Sequence, residues 1–91
     1  GWMIEQDLAI TNKLGLHARA AAKVVSVASR YSCSIQVIHG ERRIDAKSIM
    51  GLLTLGAAKG TTLRVCVDGE DEQPAMDELT DLFQRKFDEG E

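Results

Sequence analysis

The residues best suited to chemistry lie where a predicted strand gives way to a predicted helix. Gly15 ends the loop, His17 stands at the start of the helix, and Arg19 follows two residues later. The first turn of a helix presents unpaired N–H groups and the positive end of the helix dipole, so it binds phosphate well. Arginine adds charge and several donors for oxyanions. The sequence therefore predicts a phosphate site at Ala18, Arg19 and Ala20.

His17 is the candidate nucleophile of this site. A histidine ring nitrogen can accept a phosphoryl group, while fixed donors stabilise the negative charge that develops on the phosphoryl oxygens. A lone histidine at a helix start is, however, more often an ordinary surface or capping residue. The residues alone leave both interpretations open.

Hydrophobic periodicity predicts seven elements around this segment, in the order β-α-β-β-α-β-α. The predicted strands cover 4–11, 34–38, 41–44 and 61–67, and the predicted helices cover 18–31 and 49–55, with a last helix opening at Asp71 and Pro74. Four short strands with three helices indicate an α+β fold. We expect an open-faced β-sandwich, in which a four-stranded antiparallel sheet carries three helices on one face.

The helical spacing of apolar residues predicts which faces of the helices are buried. The first helix has a stripe of Ala21, Val24, Val25, Ala28 and Tyr31 or Ser32; the last has Met76, Leu79, Leu82 or Phe83, and Phe87. Ser48 is a favoured residue for the N-cap of the short middle helix, and Gly56 for its end. We expect the acidic side chains of the last helix to lie in water.

Length and composition bound the class of protein. Ninety-one residues, 44% of them hydrophobic, indicate one globular domain over 1–91, with Gly1-Trp2 as a cloning remnant ahead of a natural start at Met3. No apolar run approaches the roughly 20 residues of a membrane span, so membrane insertion is not expected.

Charge is unevenly distributed along the chain. The formal net charge is −3, yet residues 68–91 carry ten acids against Arg85 and Lys86, while the preceding residues are predominantly basic. With only 4% aromatic residues, the basic part lacks the stacking side chains of a nucleic-acid site, and we expect no nucleic-acid partner. Cys33 and Cys66 have no metal-ligand spacing and indicate free thiols in a cytoplasmic protein, with no metal site.

Two segments resemble a known family. The string from Gly15 to Ala21 resembles the phosphohistidine signature of HPr, the phosphocarrier of the bacterial phosphoenolpyruvate-dependent phosphotransferase system. The stretch from Asp45 to Gly56 resembles the regulatory-serine segment of the same family. The resemblance extends over nearly the whole chain and implies a single HPr-like phosphocarrier domain.

The resemblance implies a role for each matching residue. His17 would take a phosphoryl group from enzyme I and pass it to enzyme II A-type acceptors for sugar uptake, with Arg19 beside it. Ser48 would be the target of a serine kinase and phosphorylase. The implied protein is a monomeric phosphocarrier without cofactor or metal, rather than a stand-alone turnover enzyme. Partners would dock on an apolar patch with a basic rim, formed by Leu16, Ile49, Met50 and Leu53 and by Arg19, Lys23 and Lys47.

Two residues depart from the family pattern. Ala20 replaces a proline, which restores a backbone N–H but removes some pre-organisation of the first helical turn. Leu14 is reminiscent of the nitrogen-related paralogue rather than of the sugar branch. The alternatives are therefore that paralogue, or a regulatory protein that acts by protein binding and is switched at Ser48.

Overall fold

The predicted order of elements is confirmed. The structure, a computed structural model, describes residues 2–91. Its strands are β1 (Ile4–Ala9), β2 (Ser34–His39), β3 (Arg42–Asp45) and β4 (Thr62–Asp68), and its helices are α1 (Ala18–Ala28), α2 (Ile49–Leu53) and α3 (Glu72–Gln84). A short 3₁₀ turn over Lys86–Asp88 follows α3.

The four strands form one antiparallel sheet in the order β1-β4-β2-β3. Leu63 pairs with Leu8 of β1, and Val65 pairs with Val37 of β2, so alternate side chains of β4 meet apolar neighbours on both sides. These four side chains are buried against the helices. The expected α+β open-faced sandwich is thus the fold of the chain.

Helix α1 is shorter than predicted, and its buried face is wider. It ends at Ala28, so Tyr31 and Ser32 lie beyond it. Val25 is only partly buried, and the fully buried positions are Ala20, Ala21, Val24, Val27 and Ala28. Because α1 packs against both α2 and α3, its apolar surface exceeds a single stripe.

The chain turns sharply after α3. Lys86, Phe87 and Asp88 all have positive φ, a conformation unfavourable for residues with side chains. Phe87 is fully buried, as predicted, but it reaches the core from this turn rather than from a helical stripe. Its ring lies 4.9 Å from that of Phe83, in an edge-to-face arrangement. The turn directs residues 89–91 back toward the loop that precedes α1.

The other helix boundaries also differ from the prediction. Helix α2 ends at Leu53, and α3 starts at Glu72 rather than at Asp71. The Asp71 carboxylate caps no N–H of its own helix; it accepts hydrogen bonds from the backbone N–H groups of Ser32 and Cys33. Within residues 2–91, no helix is long and apolar enough to cross a membrane.

Candidate functional site

The loop before α1 places His17 at the N-cap of the helix. Gly15 has φ +70°, and a Cβ added there would lie 2.5 Å from the carbonyl oxygen of Ala57. Leu16 then donates its backbone N–H to that same carbonyl at 2.8 Å. The His17 carbonyl accepts the N–H of Ala21 and begins the helix. Glycine is therefore required for the close approach that fixes the loop.

The first turn of α1 is free to bind an anion. The backbone N–H groups of Ala18, Arg19 and Ala20 precede the first intrahelical bond, and the His17 side chain does not cap them. Ala18 and Arg19 are exposed, whereas the Ala20 side chain is buried in the core. No acidic residue lies in this turn. The predicted phosphate-binding residues thus form one turn beside His17.

The two nitrogens of the His17 ring have different surroundings. Nε2 contacts the Oε2 atom of Glu89. Because a carboxylate only accepts hydrogen bonds, Nε2 is the nitrogen that donates a proton in this contact. Within residues 2–91, Nδ1 has no hydrogen-bond partner, and the side chain is 28% exposed. Nδ1 is therefore the nitrogen available to an incoming group.

Glu89 is itself held in place. The Nδ2 group of the fully buried Asn12 donates to its Oε1 at 2.8 Å and to the carbonyl oxygen of Gly15 at 2.8 Å. The pKa of Glu89 is lowered, first by the hydrogen bond from Asn12 and then by His17 and the charge of Arg19, while partial burial acts in the opposite direction. The carboxylate is thus stabilised in its charged form next to the histidine.

The segment 86–91 is attached to the body at two further points. Lys23 donates to the carbonyl oxygen of Phe87 at 2.8 Å, and its ammonium lies 3.6 Å from the carboxylate of Asp88. The backbone N–H of Lys13 donates to the carbonyl oxygen of Glu91 at 2.8 Å. The expectation that the acids of the last helix lie in water is wrong for Glu72, which is 8% exposed at the start of α3. Glu89, which lies beyond the helix, is also not free in water, because it reaches the site.

A shallow cavity of about 390 Å³ lies beside Glu89. Its lining includes the basic residues Lys13, Arg19 and Lys23 and the acidic residues Asp88 and Glu89. Lys23, one of the basic residues of the predicted rim, forms an ion pair with Asp88 that partly neutralises its charge. Arg19 has no ion-pair partner within residues 2–91, which leaves its guanidinium available to an anion.

Lys47, which was predicted to share the basic rim of the docking patch with Arg19 and Lys23, lies apart from them at the other end of α1. Its ammonium donates to the carbonyl oxygens of Tyr31 and Cys33, at 2.8 and 2.9 Å. Both carbonyls follow the C-terminal end of α1, about 16 Å of helix away from His17. These two backbone carbonyl oxygens are acceptors suited to the three N–H groups of an ammonium.

The predicted docking patch is only partly at the surface. Leu16 is 5% exposed and belongs to the core, because its backbone is drawn in against Ala57. Ile49 and Met50 are 37% and 69% exposed, and Leu53 is partly buried against the core. The exposed apolar residues of α2 are therefore Ile49 and Met50.

Ser48 is the N-cap of α2, as predicted. Its Oγ accepts a hydrogen bond from the N–H of Gly51 at 3.1 Å, and the side chain is half-buried. Within residues 2–91, no group of three or more His, Cys, Asp or Glu side chains is placed to hold a metal ion.

Sequence reasoning missed Asn12 and Glu89. The contacts of Glu89 with Asn12 and with His17 join positions more than 70 residues apart, which no local pattern reports. A polar residue at position 12, next to a strand, gave no sign of being fully buried.

Comparison with known proteins identifies the family. The family model described as "PTS HPr component phosphorylation site" matches residues 4–85. The phosphocarrier protein HPr of Xylella fastidiosa (strain Temecula1) is 48% identical over 87 residues, which cover 96% of this chain and 98% of the relative. The phosphocarrier protein NPr of Shewanella violacea is 41% identical over 87 residues, 96% of each chain.

Solved structures agree with these sequence matches. The crystal structure of HPr-C-His from Thermoanaerobacter tengcongensis superposes with a TM-score of 0.91 at 42% identity, covering 94% of this chain and 97% of the other. An HPr dimer from the same organism has a TM-score of 0.75 at 44% identity, covering 86% and 90%. This chain belongs to the HPr family of phosphocarrier proteins of the phosphotransferase system.

Proposed function

We propose that the protein carries a phosphoryl group on Nδ1 of His17. The observation that supports this most is the placement of an unpartnered Nδ1 at a helix N-terminus with three free N–H groups. The phosphoryl oxygens would meet those N–H groups and the guanidinium of Arg19, which are donors suited to a dianion.

The transfer needs no cofactor. The lone pair of Nδ1 forms a bond to phosphorus, while the bond between phosphorus and the donor's leaving atom breaks and its electrons leave with the donor. The proton on Nε2 stays in place, so the ring gains positive charge as the bond forms. In the second transfer, a lone pair on the acceptor's nucleophilic atom forms a bond to phosphorus, while the bond between phosphorus and Nδ1 breaks and its electrons return to Nδ1.

We propose enzyme I as the donor and enzyme II A-type proteins as acceptors, in a sugar-uptake system. Both would dock in turn on the exposed side chains of Ile49 and Met50 and on the basic group of Arg19. A patch of this size suits transient contacts, since short-lived interfaces bury less area than permanent ones. Docking of two partners in turn also favours a monomer in solution.

Phosphorylation on His17 is tested with phosphoenolpyruvate and purified enzyme I. The wild-type protein is expected to gain one acid-labile phosphate, and His17→Ala is expected to gain none. His39→Ala is the matched control, because His39 is an exposed residue at the end of β2 and belongs neither to the loop before α1 nor to its first turn. Absence of label on the wild type, or label on His17→Ala, would contradict the proposal.

A second candidate is a nitrogen-related phosphocarrier. Two observations support it, namely the NPr relative and the exposed Leu14 three residues before His17. The higher identity to HPr favours the sugar branch. The sugar-branch and nitrogen-related candidates are distinguished by the initial rates at which the phosphoenolpyruvate-dependent enzyme of each branch phosphorylates the protein. The same rates measured on Leu14→Asn show whether Leu14 sets the preference for one enzyme over the other.

Regulation at Ser48 is a further proposal. A phosphoryl group on Oγ would add negative charge next to the exposed Ile49 and Met50 and would weaken the docking of partners there. Incubation with ATP and the serine kinase tests this, with Ser48→Ala as the control. Phosphate on Ser48 that leaves transfer through His17 unchanged would contradict the switch.

We also propose that the protein acts in the cytoplasm. Cys33 and Cys66 are both free and buried, which suits a reducing compartment. Thiol titration of protein isolated from cells under alkylating conditions checks that both remain reduced.

A further inference from the structure

We propose that Glu89 is a positioning residue for His17. Its carboxylate accepts a hydrogen bond from Nε2 and thereby holds the ring with Nδ1 presented at the N-terminus of α1. This inference rests on the proposed function, in which His17 is the phosphoryl acceptor, and adds a residue from the other end of the chain to the site.

The carboxylate is oriented before any partner arrives. One of its oxygens faces Nε2 of His17, and the other accepts the amide of Asn12 at 2.8 Å. Asn12 cannot rotate freely, because it is fully buried and its amide also donates to the carbonyl oxygen of Gly15. Asn12 and Gly15 belong to the loop that positions His17. Both partners of the contact are therefore fixed to the same loop.

The segment that carries Glu89 is anchored in the core. Phe87 is fully buried beside Phe83, and its carbonyl oxygen accepts a hydrogen bond from Lys23 of α1. The three consecutive residues of the turn, 86–88, adopt positive φ, and this conformation lets the Phe87 ring enter the core. Such backbone conformations persist only where the surrounding structure requires them, and they cluster at functional sites. Here the burial of Phe87 maintains these backbone conformations, and the turn places Glu89 beside His17.

The contact orients the ring and does not cover it. A segment that blocked the site would bury both ring nitrogens. Here the side chain of His17 is 28% exposed, and Nδ1 has no partner within residues 2–91. Glu89 occupies the nitrogen that the proposed transfer does not use.

The charge of Glu89 also favours the transfer. When Nδ1 bonds to phosphorus, the ring retains the proton on Nε2 and becomes positive. A carboxylate hydrogen-bonded to that N–H stabilises this charge, as carboxylates do beside catalytic histidines in general. The lowered pKa of Glu89 keeps it ionised at neutral pH.

Removal of the carboxylate tests the inference directly. In the unphosphorylated wild type, ring-labelled His17 is expected to show an Nε2–H resonance protected from solvent exchange, and Glu89→Ala is expected to lose it. The initial rate of phosphoryl acceptance from enzyme I is expected to fall about tenfold, which is the lower end of the loss seen when a carboxylate that orients a metal-bound histidine is removed. Glu89→Gln keeps one acceptor oxygen without the charge, and its rate is expected to lie between those of the wild type and Glu89→Ala.

Glu91→Ala is the matched control. It removes the same charge two residues away, and the contact of Glu91 with Lys13 uses only the backbone. This variant is expected to keep both the resonance and the rate of the wild type.

Three results would overturn the inference. The first is that Glu89→Ala and Glu91→Ala show the same resonance and the same rate of phosphoryl acceptance. The second is that Glu89→Ala loses the Nε2–H resonance but keeps the wild-type rate. The third is that Glu89→Ala accepts phosphate faster than the wild type, which would indicate a blocking contact. If the wild-type protein accepts no phosphate, the proposed function fails, and the resonance alone decides whether Glu89 holds the ring.

Discussion

At the scale of single residues, the site depends on hydrogen bonds that assign a different role to each nitrogen of one ring. Nε2 of His17 faces Glu89, and Nδ1 has no hydrogen-bond partner within residues 2–91. Asn12 fixes the carboxylate, so a buried amide acts on the histidine through an intermediate residue. In the proposed transfer, the chemistry at Nδ1 would depend on two side chains that need not touch the phosphoryl group.

The pH behaviour of Glu89 follows from these contacts. Its folded pKa is lowered, so its contribution to stability is present above the pKa of an ordinary glutamate and is lost as pH falls through the folded value. Asn12→Ala is expected to raise the pKa of Glu89 more than Arg19→Ala does, because the hydrogen bond from Asn12 is the largest cause of the shift. Carbon-13 NMR titration of the Glu89 carboxyl measures both. A larger effect from Arg19→Ala would contradict this ranking.

At the scale of elements, the N-cap residues of α1 and α2 are bonded differently. His17 occupies the N-cap of α1 without capping it, which leaves the N–H groups free for an anion. Ser48 does cap α2, through its hydrogen bond from Gly51. The two helix starts therefore serve different purposes, one open to a ligand and one closed by a side chain.

Loss of the Ser48 cap has a predictable cost. Ser48→Ala is expected to lower the free energy of unfolding by about 1 kcal/mol, since the N–H of Gly51 loses its acceptor. The same change at the exposed Ser26 within α1 is expected to raise it by about 0.5 kcal/mol, because alanine is the better helix former. Urea unfolding of both variants measures the difference. The same sign for both would show that capping does not decide the effect.

At the scale of the whole molecule, the two ends of the chain meet at one site. The loop after β1 supplies Asn12 and His17, and the turn after α3 supplies Glu89. The buried ring of Phe87 anchors the turn after α3 to the core and so holds Glu89 next to the loop after β1. Stability and site geometry are therefore coupled through one buried ring.

Truncation of that ring tests the coupling. Phe87→Ala is expected to lower the free energy of unfolding by about 4 kcal/mol through lost burial and the resulting cavity. It is also expected to abolish the protected Nε2–H resonance of His17, because Glu89 loses its anchor. Phe87→Leu, which refills most of the space, is expected to cost less and to keep the resonance. An intact resonance in Phe87→Ala would contradict the coupling.

Local patterns were sufficient to predict the elements and their order. Alternation of apolar residues predicted the strands. The phosphate site indicated by the spacing of Gly15, His17 and Arg19 stays a prediction. Boundaries were less accurate, since β1 ends at Ala9 and α1 at Ala28. Ends of elements depend on packing and capping partners that periodicity does not describe.

The sequence by itself determined the fold class, the candidate nucleophile and the helix start that serves it, because these depend on residue types at short spacing. Only the tertiary structure decided the partners of His17. In the folded chain Glu89 contacts Nε2 of His17, Leu16 is buried, and Lys47 lies beyond the C-terminal end of α1. These contacts join residues distant in sequence, and their energies depend on burial and hydrogen bonding that exist only once the chain has folded.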